Sequence, residues 1–401
     1  MKRGYITVIY SREKKDSTGG TRKRRKTLEW PQVYAAIFIM ALGLALIFTP
    51  LCQILAVKAG FLDIPKHEQH KLHGKSTPLL GGLAMYGAWI MTCGAALIAA
   101  GYFLPAGSSN NLILEVAGIP LVGKELAVAV GCASAAVLLG TVDDKYSLPA
   151  WVKLAGQIAI AVVTVTFGGV HITLFVRAAW FGWIVSVFWI VFMFNAINFF
   201  DNMDGLACGT AAIAFVFFTT AAIINGQYFV ACLGSCCAGT AIGFWFYNHS
   251  PASIFMGDGG SHFLAYLLAV ISARVTYFNP EISASRLSVL IPVFILAVPI
   301  FDTFAVVVIR LLNHKPIYVG DHNHISHRFH HMGMTRKRAV LLVHLLCLIA
   351  GLGALPLLWG DKRVCFILLA QGAAVLLLLT ILQYSGNLNN DQQNNHHTTG
   401  G

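Results

Sequence analysis

The sequence predicts an all-α, polytopic integral membrane protein with about eleven transmembrane helices and one polar, cytoplasmic face that holds its chemistry. Three observations lead there. Hydrophobic residues make up 57% of the 401 residues and charged ones only 11%, where a soluble domain carries roughly a quarter charged. Apolar runs of bilayer length recur along the chain. The loops between those runs fall alternately into a polar and a bland kind.

Residues 1–29 contain ten Lys and Arg and little to bury, so they read as a basic, disordered arm. No apolar core precedes Trp30, so no cleavable signal peptide is expected. Apolar runs follow at 31–57, 79–104, 125–142, 151–168, 180–199, 206–224, 228–247, 261–278, 287–311, 338–358 and 364–384. They define one multi-span membrane domain over 30–385, without internal repeats. Residues 386–401, rich in Asn, Gln, His and Thr, read as a disordered polar tail. The formal charge of +11 is read as topology and lipid contact, not as nucleic-acid binding. The nine Cys include no C-x-x-C pair and read as small core residues in a reducing or lipid setting.

The loops after spans 1, 3, 5, 7 and 9 fall on one side and carry most of the interior Lys and Arg, which places them in the cytoplasm. Asp63, Asp143, Asp144, Asp201, Asp204, Asp258 and Asp321 share that side, against Glu115, Glu125, Glu281 and Asp361 on the other. This division argues for one site built from five loops. Eleven spans put the N-terminus on the opposite side, while its basic arm argues for the cytoplasm; the two signals conflict.

The densest stretch runs from Asn195 to Gly209, at the end of the fifth span. Asn195 and Asn198 lie three apart and share a helix face, and Asp201 and Asp204 continue the beat. Carboxylates at such a depth face a cavity, a cation or a partner; capping of the helix that begins at Leu206 accounts for one of them. In the second polar loop, Asp143 and Asp144 are adjacent, with Lys153 and Gln157 opening the next span. Two neighbouring carboxylates favour a bound cation, a Lys partner or one raised pKa suited to proton removal. Gly257-Asp258-Gly259-Gly260-Ser261 puts an acid between glycines, where little bulk obstructs a metal. In the first polar loop, Lys71, His73 and Lys75 precede Gly81-Gly82, a basic loop leading to a helix start where a phosphate or lipid headgroup can dock. Asp302 falls inside the ninth span and reads either as a partner for Arg or Lys or as a functional acid. The last polar loop carries Asp321, His322, His324, His327, Arg328, His330 and His331, suited to contacts with a diphosphate more than to zinc, which lacks Cys or carboxylate ligands at the right spacing.

Aspartates and asparagines without thiols, beside clustered Lys, Arg and His, suit a hard cation such as Mg²⁺ or Mn²⁺ holding a phosphate ester. Phosphoryl transfer needs charge neutralisation and positioning more than a special nucleophile. At a membrane surface this suggests a water-soluble nucleotide donor and a lipid acceptor.

At this point the chain resembles the polyprenyl-phosphate N-acetylhexosamine-1-phosphate transferases (glycosyltransferase family 4), and most closely the branch acting on undecaprenyl phosphate and UDP-N-acetylglucosamine. The resemblance covers roughly residues 35–350 through five ordered motifs: Lys71-x-His73 to Gly81-Gly82; Val142-Asp143-Asp144 with Lys153 and Gln157; Asn195 to Gly205; Phe255 to Ser261; and Asp321-x-x-His324-x-x-His327-Arg328. It implies transfer of a sugar-1-phosphate from a UDP-sugar to a polyprenyl phosphate, releasing UMP, in a bacterial inner membrane. It also implies Mg²⁺ at Asp258 and Asn198, and Asp143 and Asp144 at the acceptor phosphate, one of them as general base or metal-associated group. Asp201 and Asp204 would lie near the nucleotide; His324, His327 and Arg328 would hold the donor diphosphate, with Lys71, His73, Lys153, Asn195 and Asp321 also at the substrates. A covalent aspartyl intermediate and direct attack stay open, as does a homodimer.

Two departures from the family pattern stand at the donor end. Asn202 replaces a common Gly, while His322 and Ser326 take places often held by Arg and His. The rival readings are the related phospho-N-acetylmuramoyl-pentapeptide transferase, which has a denser His run, a transporter using Asp302 and polar helix ends, and a structural scaffold.

Overall fold

The computed structural model describes residues 5–8, 26–63, 76–103, 119–172, 176, 178–278, 283–315 and 324–398. The apolar runs become helices: α1 (Trp30–Ala59), α2 (Gly81–Phe103), α3 (Ile119–Tyr146), α4 (Ala150–Phe167), α5 (Ala179–Phe200), α6 (Leu206–Ile224), α7 (Tyr228–Asn248), α8 (Gly257–Arg274), α9 (Ile291–Ile295), α10 (Ala297–Leu312), α11 (Ile325–His331), α12 (Arg336–Ala354) and α13 (Lys362–Thr398). Among the described residues nine are long and apolar enough to cross a membrane, or ten if Arg286–Ile295, which ends in α9, and α10 form one span bent by 71°. This is a multi-pass membrane protein, and nine or ten of its described helices meet that test where about eleven spans are expected.

Both differences have local causes. Pro299 lies in the first turn of α10 and has no N–H to carry the α9 ladder across Leu296. The run expected at 261–278 is α8, whose polar first turns lower its hydropathy and which runs through the centre of the bundle from Asp258 to Arg274. Every residue from Gly259 to Ser272 is buried, packed among α2, α3 and α5. Beyond its polar first turns the helix is apolar on nearly every side, which suits such a place. Elsewhere small residues let helices close up: a Cβ on Gly239 of α7 would meet the α1 backbone at Phe38.

Regular elements occur near both ends of the chain. Tyr5–Val8 pairs antiparallel with Lys26–Glu29, a register built from Tyr, Ile, Thr and Val. The helix α13 runs on to Thr398, since extending a helix costs far less than starting one.

The alternation of loops survives in three dimensions. The end of α3, the start of α4, the end of α5 and the starts of α6, α8 and α11 meet at one end of the bundle. At the other end Arg274 pairs with Glu125 and donates to the Gly168 carbonyl, and Gln227 holds Thr276.

Candidate active site

Asp143, on the last turns of α3, is 9% exposed, and its Oδ2 lies 2.6 Å from Lys153 Nζ on α4. Its Oδ1 accepts the Leu148 N–H, which anchors it to the turn between the helices. The same ammonium donates to Asp258 Oδ2 at 2.5 Å and to Asn198 Oδ1 at 3.4 Å. Asn198 Nδ2 donates to Asp258 Oδ1 at 2.7 Å and to Ser261 Oγ at 2.9 Å. Four helices thus converge on one ammonium and two carboxylates, in partial burial where such attractions are felt more strongly than in water.

A buried relay supports this cluster from below. Asn195 donates to Gln157 Oε1, and Gln157 Nε2 donates to His262 Nε2 at 3.0 Å. That leaves the His262 proton on Nδ1, which donates to the Asp258 carbonyl at 2.7 Å. Asn195 and Asn198 share a face as their spacing requires, one serving the relay and the other Asp258. The reading from sequence missed His262; its signal is the position one turn beyond Asp258, on the same face.

Three motifs make contacts that the sequence does not show. Asp144, expected at the acceptor phosphate, spends both oxygens on backbone: Oδ1 accepts the Asp258 N–H at 2.7 Å and Oδ2 the Gly259 N–H at 3.1 Å. It caps α8 from another helix. The Gly81-Gly82 pair, expected to receive an anion, donates its N–H groups to the Phe255 and Met256 carbonyls. The pair is a packing device: α2 meets the first turn of α8 there with no room for side chains. Asp302, read either as a partner for Arg or Lys or as a functional acid, is bonded to His324 Nδ1 and the Ile325 N–H.

Asp204 accepts the Ala252 N–H through Oδ2, and Asn248 accepts the Gly205 N–H and donates to Ile254, so the start of α6 is sewn to the segment leading into α8. Asp201, in the turn between α5 and α6, makes no side-chain hydrogen bond to a described residue. Burial, then the negative charges of Asp258, Asp144 and Asp204, push its pKa up to about 8. On α11, Ser326 is buried and donates to Asn202 Oδ1 at 2.5 Å. The two departures in the motifs are therefore bonded to each other. His327 and Arg328 lie half-buried on α11. Lys71, His73 and Asp321 fall outside the described residues.

Among the described residues no three His, Cys, Asp or Glu converge as a ready metal centre. The chemistry of the donor set nonetheless fits a hard cation. Asp143 and Asp258 flank one ammonium with the Asn198 amide oxygen beside them, and Asp201 lies within reach of the charges of Asp258, Asp144 and Asp204, a set of hard oxygen donors.

The glycosyl transferase family 4 sequence profile matches residues 126–276, the segment from α3 to the end of α8 that contains this cluster. A Bacillus subtilis protein named probable undecaprenyl-phosphate N-acetylglucosaminyl 1-phosphate transferase is 33% identical over 343 residues, covering 83% of this chain and 88% of its own. The chain belongs to glycosyl transferase family 4. A Mycolicibacterium smegmatis decaprenyl-phosphate N-acetylglucosaminephosphotransferase is 31% identical, covering 77% of this chain and 78% of its own. The Escherichia coli K12 undecaprenyl-phosphate alpha-N-acetylglucosaminyl 1-phosphate transferase is 24% identical, covering 75% and 77%. As a family 4 protein it is a glycosyl transferase whose acids converge at one end of the bundle. A transporter would spread them along a path through it.

Proposed function

We propose that this chain transfers N-acetylglucosamine 1-phosphate from UDP-N-acetylglucosamine to undecaprenyl phosphate, releasing UMP and starting a lipid-linked cell-envelope glycan. The observation that carries the reading is the Asp143–Lys153–Asp258–Asn198 cluster, with the His-bearing α11 clasped beside it. The names of the family 4 relatives supply the substrates.

An oxygen of the lipid phosphate attacks the phosphorus that bears the sugar. The bond from that phosphorus to the bridging oxygen breaks, and the electron pair leaves with UMP. Lys153 balances negative charge between the two phosphates. His324, His327 and Arg328 hold the diphosphate by charge-assisted hydrogen bonds. Asp143 serves the acceptor phosphate and holds Lys153 in place. Asp258 and Asn198, with Asp201, would hold Mg²⁺, or Mn²⁺ in its stead. The ion would offset charge on the diphosphate. The Lys and Arg bias of the loops at this end supports a cytoplasmic site in a bacterial inner membrane.

The test is UMP release by detergent-purified protein given undecaprenyl phosphate, Mg²⁺ and a panel of UDP-sugars, repeated with EDTA. Lipid-dependent UMP from UDP-N-acetylglucosamine, lost with EDTA and restored by Mg²⁺, is expected. A folded sample that releases no UMP from any donor would refute the reading.

A further inference from the structure

Asp302 lies in an apolar helix and is 2% exposed. A carboxylate in such a place persists only with both oxygens satisfied, and here both are. Oδ1 accepts the Ile325 N–H and Oδ2 accepts from His324 Nδ1, each at 2.7 Å. His324 is the N-cap residue of α11, and its own side chain makes no cap hydrogen bond. Asp302 supplies the cap from α10, 23 residues earlier in the chain.

The chemistry of this contact is one-sided. An ionised carboxylate only accepts, so Nδ1 of His324 must carry a proton whether the ring is neutral or cationic. Nε2 is the atom left for other work, and it makes no hydrogen bond to a described residue. A carboxylate on Nδ1 balances a positive ring, so Nε2–H can donate to a phosphate oxygen without leaving an uncompensated buried charge. The ring is 4% exposed and cannot turn away without breaking the bond to Asp302. Two residues along α11, the bond from Ser326 to Asn202 ties the same helix to the turn that holds Asp201 and Asp204. The imidazole is therefore held by Asp302 on a helix that is itself tied to the catalytic end of the bundle.

The geometry points to Asp302 as a positioning residue that fixes the orientation and protonated nitrogen of His324, so that Nε2 serves the donor diphosphate. This rests on the transfer reaction proposed above. Asp302 touches no substrate; it acts through His324.

A double-mutant cycle tests it, with Asp302→Asn, His324→Gln and the pair measured for kcat and for KM toward each substrate. Asp302→Asn keeps the size and one acceptor but removes the charge. It is expected to lower kcat/KM for the UDP-sugar by roughly 10²-fold, the scale of a misplaced contact, and to leave the acceptor KM unchanged. The pair should be no slower than His324→Gln alone, because both changes remove one interaction. Losses that multiply in the pair, or full activity in Asp302→Asn, would overturn the inference and leave the reaction standing. Should Asp302→Asn not fold, His324→Gln decides alone. A large rate loss with an unchanged thermal midpoint supports a functional ring, and a normal rate overturns the inference. If the wild-type protein releases no UMP from any donor, the reaction fails and the inference falls with it.

Discussion

Gly140 of α3 crosses the first turn of α8 so closely that a methyl group there has no room. A Cβ would lie 2.2 Å from the Asp258 carbonyl oxygen, 2.3 Å from its carbon and 2.5 Å from the Gly259 nitrogen, against 3.4 Å for ordinary contact. All three atoms are backbone, so no side chain can rotate aside. Retreat is blocked as well, because on another side Gly82 of α2 sits against the same turn, where its own Cβ would lie 2.3 Å from the Gly260 nitrogen. Gly140→Ala must therefore push Asp258 by about 1 Å, which on the scale of misplaced catalytic groups lowers the rate by about 10²-fold. Overpacking of this kind costs about 1–3 kcal/mol, so the protein should still fold. The assay is the initial rate of UMP release beside a thermal midpoint, with Gly131→Ala on the same helix as control, since a Cβ there meets nothing within 4 Å. The control should match the wild type or gain slightly in stability. A Gly140→Ala protein that folds and turns over within threefold of wild type would refute the claim that this crossing sets the position of Asp258.

Asp144→Ala removes both acceptors at the start of α8 and should cost about 1 kcal/mol of stability together with activity, while a rate loss at an unchanged midpoint would return Asp144 to direct chemistry. Asp201 holds a proton in the folded protein up to about pH 8, whereas the unfolded chain releases it near the ordinary carboxylate value. Its contribution to stability is therefore full below about pH 4 and is lost as pH rises through about 8. In EDTA, Asp201→Asn should flatten the fall in thermal midpoint between these limits, and an unchanged slope counts against it. Ser326→Ala removes the clasp to Asn202, a hydrogen bond worth about 1 kcal/mol, and should raise the KM for the UDP-sugar about fivefold; a shift confined to the acceptor KM would place α11 at the lipid instead.

Much of the fold was legible because a membrane span announces itself by length and apolarity. The exceptions are informative. The run at 261–278 has the composition of a span, yet as α8 it is buried by neighbours, which composition alone cannot distinguish from contact with lipid. The bend between α9 and α10 had its proline in plain view, but its angle depends on packing. Within the site, Asn195 and Asn198 were placed correctly on one face because three-residue spacing is a property of a single helix. The contacts of Asp144 and Asp302 were not legible, because a carboxylate that caps a distant helix looks in sequence like one that does chemistry.

The sequence by itself determined the membrane class, the gathering of the polar loops at one end, and the motifs that mark glycosyl transferase family 4. The first two follow from hydrophobicity and from the alternation of loop character along the chain; the last is a resemblance carried by the order of five motifs. Only the tertiary structure decided which groups meet. Lys153 reaches Asp258 across 105 residues, Asn198 reaches it across 60, and Ser326 finds Asn202 across 124. Such pairings are set by how helices pack and how closely glycines let them approach, a property of the assembled bundle rather than of any stretch within it.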